Sequence, residues 1–217
     1  MVRGNGPPQL VMLARWPAPG RCKSRLVPGV GKVRAAAIQA RLTQHGLAAA
    51  ARARRAMDEA AGGGRRVAGL SLVLATSGLG PRAASRWGAR LGVDRVVDQG
   101  PGGLGLRMQR QMLRGWREGA AAVVLIGSDL PELAADDLLA AFRALEHSSL
   151  VLGPAGDGGY WLIGRRRATP QVFTGIDWGS DRVLEQTLLL ARQARLSTAL
   201  LAVRHDLDRP DDLDRWR

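Results

Sequence analysis

The stretch LVMLARWPAPGRCKSRL, residues 10–26, gives the clearest indication of fold in this chain. Its first five residues, Leu10 to Ala14, form an apolar run that predicts a short β-strand. A loop stiffened by proline and glycine follows, and residues 33–57 then have the spacing and composition of a helix. A basic loop at a strand-to-helix junction suits phosphate binding, because the first amides of the helix add to the side-chain charge.

The basic loop also contains an unusual lysine. The chain has 32 lysines and arginines, but its only lysines are Lys23 and Lys32. An ammonium group acts as a compact point charge on a phosphate, whereas a guanidinium group is a planar fork. We therefore predict a phosphate-binding loop, and the alternative is an ordinary turn with solvated arginines. Its candidate residues are Arg15, Pro19, Gly20, Lys23 and Arg25.

The rest of the chain alternates between predicted strands and predicted helices. Further strands are expected at 70–75, 93–97, 121–126, 150–152, 160–163 and 200–203. Helices are expected at 81–91, 106–118 and 136–145, from an N-cap at Ser180 to about 195, and at 211–216, with a surface loop at 60–66. This alternation predicts an α/β fold with a mostly parallel sheet covered on both faces, which binds ligands beyond the carboxyl ends of its strands.

Length and composition narrow the class of protein. The 217 residues fit one domain, expected at 9–217 after a flexible N-terminus at 1–8. No apolar run is long enough to span a bilayer, and Met1 to Pro8 lacks the apolar segment of a signal peptide, so we expect a cytoplasmic protein. The lone Cys22 excludes an internal disulfide and a cysteine-based zinc cluster. Its cationic neighbours could lower its pKa, but we expect a passive loop residue rather than a nucleophile.

The net charge of +13 has two interpretations. It could support binding to nucleic acid through phosphate contacts. However, the arginines are spread along the chain and aromatic residues make up only 4%, so we favour a compositional origin and do not expect a nucleic-acid partner. A positive field would still steer an anionic substrate.

Carboxylates follow two of the predicted strands. Asp129 comes directly after the apolar run 121–126, and Asp206 and Asp208 follow the last strand. In an extended chain, Asp206 and Asp208 point to one side while Leu207 points to the other. Carboxylate oxygens are ligands that Mg²⁺ prefers, so these three acids are candidate metal ligands. The alternative is that they cap the turns and the helix that follow them.

Two glycine-rich loops are weaker candidates. In residues 153–161, Asp157 is a candidate contact to a ribose, an acceptor hydroxyl or a metal, and Gly158 and Gly159 allow close approach of the backbone to a ligand. In residues 99–108, Gly103 could pass under a base or ribose and Arg107 could reach a phosphate. A plain turn and a flexible loop are the alternatives.

Taken together, four motifs resemble those of the bacterial DUF2064 proteins. In order, they are R-x-P-x-P-G-x-x-K-[ST]-R-L, G-[ST]-D-x-P, G-P-x-x-D-G-G-Y-x-L-I-G and D-x-D-x-P-x-D-L, between about Leu10 and Leu213. The first and last are also similar to phospholactate and molybdenum-cofactor guanylyltransferases. Leu106 stands where the family often has an acidic residue. This difference weakens the assignment of the loop at 99–108 to binding a base or ribose.

The resemblance implies a single-domain, three-layer α/β/α fold of the GT-A (nucleotide-diphospho-sugar transferase) type, with a mostly parallel central sheet. It implies that Lys23 and Arg25 hold nucleotide phosphates and that Asp129, Asp206 and Asp208 bind Mg²⁺ or Mn²⁺. It also implies an enzyme, labelled in this family as an arsenosugar-type glycosyltransferase.

Two reactions on a nucleotide remain open at this point. In nucleotidyl transfer, a nucleoside triphosphate and a small phosphorylated acceptor give pyrophosphate, and the lysine-bearing loop favours this reaction. In glycosyl transfer, a nucleotide sugar is the donor and Asp157 could act as the acceptor's base. Catalytic roles are expected for Lys23, Asp129 and Asp157. A non-catalytic nucleotide- or nucleic-acid-binding protein is the alternative of another class; no membrane partner is expected, and a homodimer is compatible with the sequence.

Overall fold

The computed structural model describes residues 5–61, 69–167 and 170–216. Within them the sheet has seven strands, β1 (Gln9–Arg15), β2 (Ser71–Ser77), β3 (Arg95–Asp98), β4 (Val123–Ile126), β5 (Leu150–Pro154), β6 (Tyr160–Arg165) and β7 (Thr198–Leu200). The helices are α1 (Val27–Ala60), α2 (Pro81–Leu91), α3 (Leu104–Arg117), α4 (Ala135–His147) and α5 (Val183–Gln193). Two 3₁₀ helices span Pro170–Phe173 and Pro210–Trp216.

The strands form one mostly parallel sheet in the order β3-β2-β1-β4-β6-β5-β7. The pairs β1–β2, β1–β4, β2–β3 and β5–β7 are parallel, whereas β6 is antiparallel to both of its neighbours. The predicted α/β class with a mostly parallel sheet is therefore confirmed. The apolar run at the centre of the sequence is also the central strand, β4.

Side-chain alternation in β1 explains the two helical layers. Leu10, Met12 and Ala14 pack in one buried cluster with apolar side chains of α1, α2 and α4. Val11 points to the opposite face and packs in a second cluster with side chains of α3 and α5. Since successive strand residues face opposite sides, a run that is apolar throughout requires a cover on both faces. The sheet is accordingly sandwiched between two helical layers.

The helix after β1 is longer than predicted. It begins at Val27 rather than at residue 33, but Gly31 has φ 78° and ψ 162°, which interrupts the helix. The part beyond this kink corresponds to the predicted helix. No helix in the described residues combines the length and apolar character needed to cross a bilayer.

Two local predictions need correction. The last strand spans Thr198–Leu200 rather than 200–203, because pairing with β5 sets its position and Leu200 and Val203 are more than half exposed. Ser180 does not cap α5: its hydroxyl donates to the carbonyl of Asp177 and accepts from the amide of Arg182. The predicted loop at 60–66 lies mostly outside the described residues.

The start of the chain is partly paired. Of the segment 1–8, which was expected to be flexible, residues 1–4 lie outside the described part. The amide of Gly6 donates to the carbonyl of Gly119 (2.9 Å), and the carbonyl of Pro8 accepts from Ser71 (2.9 Å). These bonds extend the contacts of β1 toward its N-terminal side.

Candidate functional site

A cavity of about 770 Å³ lies beyond the carboxyl ends of β1, β2 and β4. Its walls come from the loop after β1, from Ser77 and Gly78 at the end of β2, from the segment 127–130 after β4, and from the start of α3. Asp206 and Asp208 reach it from the C-terminal segment. This is the position at which open α/β sheets bind ligands.

Lys23 is at the centre of the contacts between these segments. Its backbone has φ +49°, a left-handed conformation that is rare outside glycine, and its side chain is only 2% exposed. The ammonium donates to the carbonyl of Leu207 (2.5 Å), and Nζ lies 2.7 Å from Oδ1 of Asp129 and 3.9 Å from Oδ1 of Asp208. The amide of Leu207 in turn donates to the carbonyl of Asp129 (2.9 Å). Three distant motifs are therefore joined around one buried cation.

The predicted phosphate contact of Lys23 stays a prediction. Lys23 lines the cavity, but its ammonium group faces two carboxylates and a carbonyl rather than open solvent.

The segment 206–208 alternates as the sequence predicts. Leu207 is buried with Leu26 and Leu42, whereas both flanking aspartates line the cavity. Oδ2 of Asp208 accepts from Nη1 of Arg25 at 3.0 Å. Asp208 therefore does not act as a helix cap. Oδ2 of Asp212 fills that role instead, accepting from the amides of Asp208 and Arg209.

The environment of Asp206 disfavours its charge. Burial is the largest cause that raises its pKa to about 7, and the carboxylates of Asp129 and Asp157 add to the effect. The ammonium of Lys23 opposes them.

The predicted platform of three carboxylates is not assembled. Within the described residues, no three His, Cys, Asp or Glu side chains are grouped so that they could hold a metal ion together. The ammonium of Lys23 takes up the space beside Asp129 and Asp208 instead. The donor chemistry still fits Mg²⁺ or Mn²⁺, since Mg²⁺ usually takes one or two carboxylates together with phosphate oxygens and waters.

Arginines line the same cavity. Arg15 donates through Nη1 to the carbonyl of Arg21 (3.1 Å), which braces the basic loop, and both guanidinium groups line the cavity. Arg107 donates from Nε to the carbonyl of Gly102 (2.8 Å) and from Nη1 to Oε1 of Gln99 (3.3 Å). The cavity is thus lined by arginines of the first loop and α3 as well as by aspartates.

The remaining candidates of these two loops have mainly backbone roles. Gly20, at φ +76°, lines the cavity, whereas Pro19 does not line it. Gly103 precedes α3 in an extended conformation, with φ −69° and ψ 174°. Arg25 lines a neighbouring cavity rather than the first one.

Two buried glutamines of the site were missed by sequence reasoning. Nε2 of Gln99 donates to the carbonyls of Ala14 (3.2 Å) and Ala75 (2.9 Å), so its side chain ties two strand ends to Arg107. Gln39, on α1, donates from Nε2 to Oγ of Ser128 at 2.8 Å. A polar residue inside an otherwise apolar helical face is the signal that could have identified Gln39.

The glycine-rich hairpin after β5 has a structural explanation. Oδ1 of Asp157 accepts from the amide of Gly159 (3.0 Å), which closes the turn. Gly158 has φ +86°, and a Cβ there would lie 1.9 Å from the carbonyl oxygen of Asp181. The close approach at Gly158 is therefore to the protein's own backbone.

Asp157 lines a second cavity of about 540 Å³ and not the first. The two cavities share a common wall of five residues, which are Leu104, Met108, Tyr160, Asp206 and Asp208. Asp157 is thus separated from the basic loop by this wall.

The surroundings of Cys22 suit the passive loop residue expected from the sequence. Its thiol is buried, and burial raises its pKa by more than Lys23 and Arg15 lower it. The thiol contacts the carbonyl of Ala18 at 3.5 Å. Cys22 is a packed loop residue.

The chain has the fold of the nucleotide-diphospho-sugar transferases. A protein of Desulfovibrio desulfuricans G20, provisionally assigned as a nucleotide-diphospho-sugar transferase, superimposes with a TM-score of 0.77 at 29% identity, covering 96% of this chain and 86% of its own. The sequence profile described as "Uncharacterized protein conserved in bacteria (DUF2064)" matches residues 64–180. The chain therefore belongs to the DUF2064 family, as its motifs predict.

More distant structures have the same fold with different activities. The 4-diphosphocytidyl-2C-methyl-D-erythritol synthase of Anaerococcus prevotii matches with a TM-score of 0.58 at 9% identity, covering 98% of this chain and 96% of its own. Glucosyl-3-phosphoglycerate synthase of Mycobacterium tuberculosis, in complex with Mn²⁺, UDP and glucosyl-3-phosphoglycerate, matches with a TM-score of 0.53 at 15% identity, covering 97% and 75%. No curated protein matches the sequence. Nucleotidyl and glycosyl transferases thus both occur among the structural neighbours.

Proposed function

We propose that this protein is a metal-dependent transferase that uses a nucleotide, and that it transfers a nucleotidyl group from a nucleoside triphosphate to a small phosphorylated acceptor. The observation that carries the proposal is that arginines and carboxylates line the same cavity. Arg15, Arg21 and Arg107 line it together with Asp129, Asp206 and Asp208. A polyphosphate with a divalent cation has the charge pattern that complements such a cavity.

In this reaction an oxygen of the acceptor's phosphate attacks the α-phosphorus of the nucleotide. The bond from the α-phosphorus to the bridging oxygen breaks, and pyrophosphate leaves with that electron pair. Because the attacking oxygen is already anionic, no general base is required. The arginines hold and neutralise the phosphates, and Lys23 keeps Asp129 and the segment 206–208 in place. A divalent cation bound to the aspartates would neutralise charge on the transferring phosphate.

Glycosyl transfer from a nucleotide sugar is the second candidate. It is favoured by the Desulfovibrio structure, whose provisional assignment is to nucleotide-diphospho-sugar transferases. In that reaction the sugar's anomeric carbon is attacked and a nucleoside diphosphate leaves. The two reactions therefore differ in the phosphorus-containing product.

A thermal-shift panel separates these candidates. Nucleoside triphosphates and nucleotide sugars are each added with and without Mg²⁺, since a ligand that binds only the folded state raises Tm. Preference for a triphosphate, followed by pyrophosphate release with a phosphorylated acceptor, supports nucleotidyl transfer. A response to nucleotide sugars alone, with nucleoside diphosphate as product, contradicts it and supports glycosyl transfer.

Matched variants connect the result to the cavity. We expect Asp129→Asn and Lys23→Ala to abolish metal-dependent nucleotide binding. Asp136→Asn, an exposed change on α4, should leave it intact. Binding that needs no metal, weakens steeply with salt and survives Asp129→Asn would instead indicate a non-catalytic electrostatic binder.

A further inference from the structure

The second cavity adjoins the first at a wall of five residues, which are Leu104, Met108, Tyr160, Asp206 and Asp208. We propose that it binds the acceptor, and that the acceptor is a small polyhydroxylated molecule with one anionic group; this inference rests on the proposed function. Asp206, Asp208 and Tyr160 line both cavities. A molecule in the second cavity therefore meets nucleotide phosphates in the first at this wall.

The size of the second cavity fits a small molecule. Its volume is about 540 Å³. Small-molecule sites in proteins commonly have a few hundred to about 1,000 Å³. A metabolite of a few carbons would be enclosed by this cavity, whereas a second nucleotide would fill it completely.

Carboxylates line part of the second cavity. Asp157 and Asp181 are exposed side chains that line the second cavity alone. Within its own turn, Asp157 uses only Oδ1, which accepts a hydrogen bond from the amide of Gly159. Ionised carboxylates accept hydrogen bonds and repel phosphate, so hydroxyl groups are the ligand chemistry that suits this part of the cavity.

The carboxylates stand on a fixed part of the fold. The carbonyl of Asp181 packs so closely on Gly158 that no Cβ fits between them, and the carbonyl of Gly158 accepts from Leu184 (2.9 Å). The hairpin and the start of α5 are thereby locked together. Carboxylates held at fixed positions favour a ligand whose hydroxyl groups have a matching spacing over a flexible cation.

An aromatic pair also lines the second cavity. The rings of Tyr160 and Trp178 meet edge to face, with centroids 6.3 Å apart and an interplanar angle of 81°. Gly105 packs directly against the indole, since a Cβ there would lie 2.4 Å from Nε1 of Trp178. This rigid apolar surface can pack on the carbon skeleton of a polyol while the carboxylates bind its hydroxyls.

Arginines supply the anion-binding part of the cavity. Arg25, Arg209 and Arg215 all line it and are exposed. Arg25 is already paired with Asp208 at 3.0 Å, which places a guanidinium group beside the shared wall. With Arg209 and Arg215 on the same cavity, one anionic group of the acceptor can be bound, while a molecule with anions at both ends would meet the carboxylates.

Isothermal titration with three probes tests the proposal. The probes are glycerol 3-phosphate, glycerol and inorganic phosphate, which carry both features or only one. We expect glycerol 3-phosphate to bind the wild-type protein about tenfold more tightly than either of the others. Equal affinity for inorganic phosphate and glycerol 3-phosphate would overturn the polyol part of the proposal.

Variants of the second cavity locate the probe. Arg209→Gln should weaken the binding of glycerol 3-phosphate about tenfold. Asp181→Asn should also weaken the binding of glycerol 3-phosphate but leave the affinity for inorganic phosphate unchanged. Arg192→Gln, an exposed change on α5, is the matched control and should have no effect. Unchanged binding in both cavity variants, or displacement of the probe by a nucleotide, would place the probe elsewhere and overturn the assignment.

The thermal-shift and turnover measurements with nucleotides distinguish failure of the proposed function from failure of the acceptor assignment. If nucleotides bind and are turned over but Arg209→Gln and Asp181→Asn leave KM for the acceptor unchanged, the acceptor assignment alone fails. If no nucleotide raises Tm, the proposed function fails whatever the three probes do.

Discussion

Lys23 has its positive charge in a buried position, which is rare unless partners compensate for the lost hydration. Its side chain is 2% exposed, and its ammonium contacts Asp129 and the carbonyl of Leu207. A side chain held in this way has a structural contribution in addition to any role toward a ligand. The same contacts explain its left-handed backbone, because tertiary contacts must hold a conformation that is unfavourable in isolation.

We predict that Lys23→Ala destabilises the protein in the absence of any ligand. The change leaves carboxylates and a carbonyl without their cation, and the expected loss in the free energy of unfolding is about 2 kcal/mol. For a chain of this size that lowers Tm by roughly 4–8 °C in differential scanning calorimetry. Lys32→Ala, which removes the only other lysine at an exposed position, is the control and should leave Tm unchanged. An unchanged Tm in Lys23→Ala would show that the buried contacts contribute nothing.

Asp206 provides a prediction on pH dependence. Its pKa in the folded protein is about 7, above the ordinary value of 3.8, so the folded state binds a proton that the unfolded state has released between these values. The carboxyl therefore lowers stability as pH rises from about 4 to 7, and above 7 the penalty is complete.

Replacement by asparagine should remove this penalty. In metal-free protein, we expect Asp206→Asn to raise Tm more at pH 8 than at pH 5, with a difference in stabilisation of about 2 kcal/mol. The measurement is thermal unfolding at both pH values with a chelator present. Asp136→Asn is the control and should give the same small change at each pH. Equal gains for Asp206→Asn at both pH values would contradict the raised pKa.

At the scale of elements, the hairpin between β5 and β6 depends on Gly158. Gly119 is a matched position, because its φ of +84° is close to the +86° of Gly158 but a Cβ there meets no atom within 4 Å. Gly119→Ala should cost about 1 kcal/mol from backbone strain alone. Gly158→Ala adds the clash with the carbonyl of Asp181 and should cost at least about 3 kcal/mol. Chemical denaturation of both variants measures the difference, and equal losses would refute the close packing of hairpin and α5.

The strands show which elements the sequence could predict. Strands β1 and β4 were predicted because they are apolar throughout, and a sheet covered on both faces requires that pattern. The end of the last strand was misplaced because Leu200 and Val203 are exposed apolar residues at an edge, where backbone pairing rather than burial sets the position.

The site was predictable only in part, for a related reason. The alternation at Asp206, Leu207 and Asp208 is local, and the sequence carries it. The contact of Lys23 with Leu207 joins residues 184 positions apart, and no local pattern encodes it. The bond from Gln39 to Ser128 likewise depends on how α1 packs beside β4, so both glutamines of the site were missed.

At the scale of the whole molecule, the net charge of +13 bears on how a nucleotide arrives. A positive surface attracts an anionic ligand over distances up to the Debye length, which is about 10 Å at 0.1 M salt and about 30 Å at 0.01 M. Charges outside the cavity therefore act mainly on the encounter and much less on the bound complex, whose contacts are short.

We predict from this that salt slows association of the nucleotide more than it speeds dissociation. Between 10 and 200 mM salt, the association rate constant of the nucleotide preferred in the thermal-shift panel should fall about tenfold, while the dissociation rate constant changes less than about threefold. Stopped-flow fluorescence with Mg²⁺ held constant measures both. Because steering depends on the summed field, Arg86→Gln together with Arg192→Gln, two exposed changes on α2 and α5, should reduce the association rate at 10 mM salt and leave it unchanged at 200 mM. A salt effect confined to dissociation would instead assign the charge dependence to the arginines that line the cavity.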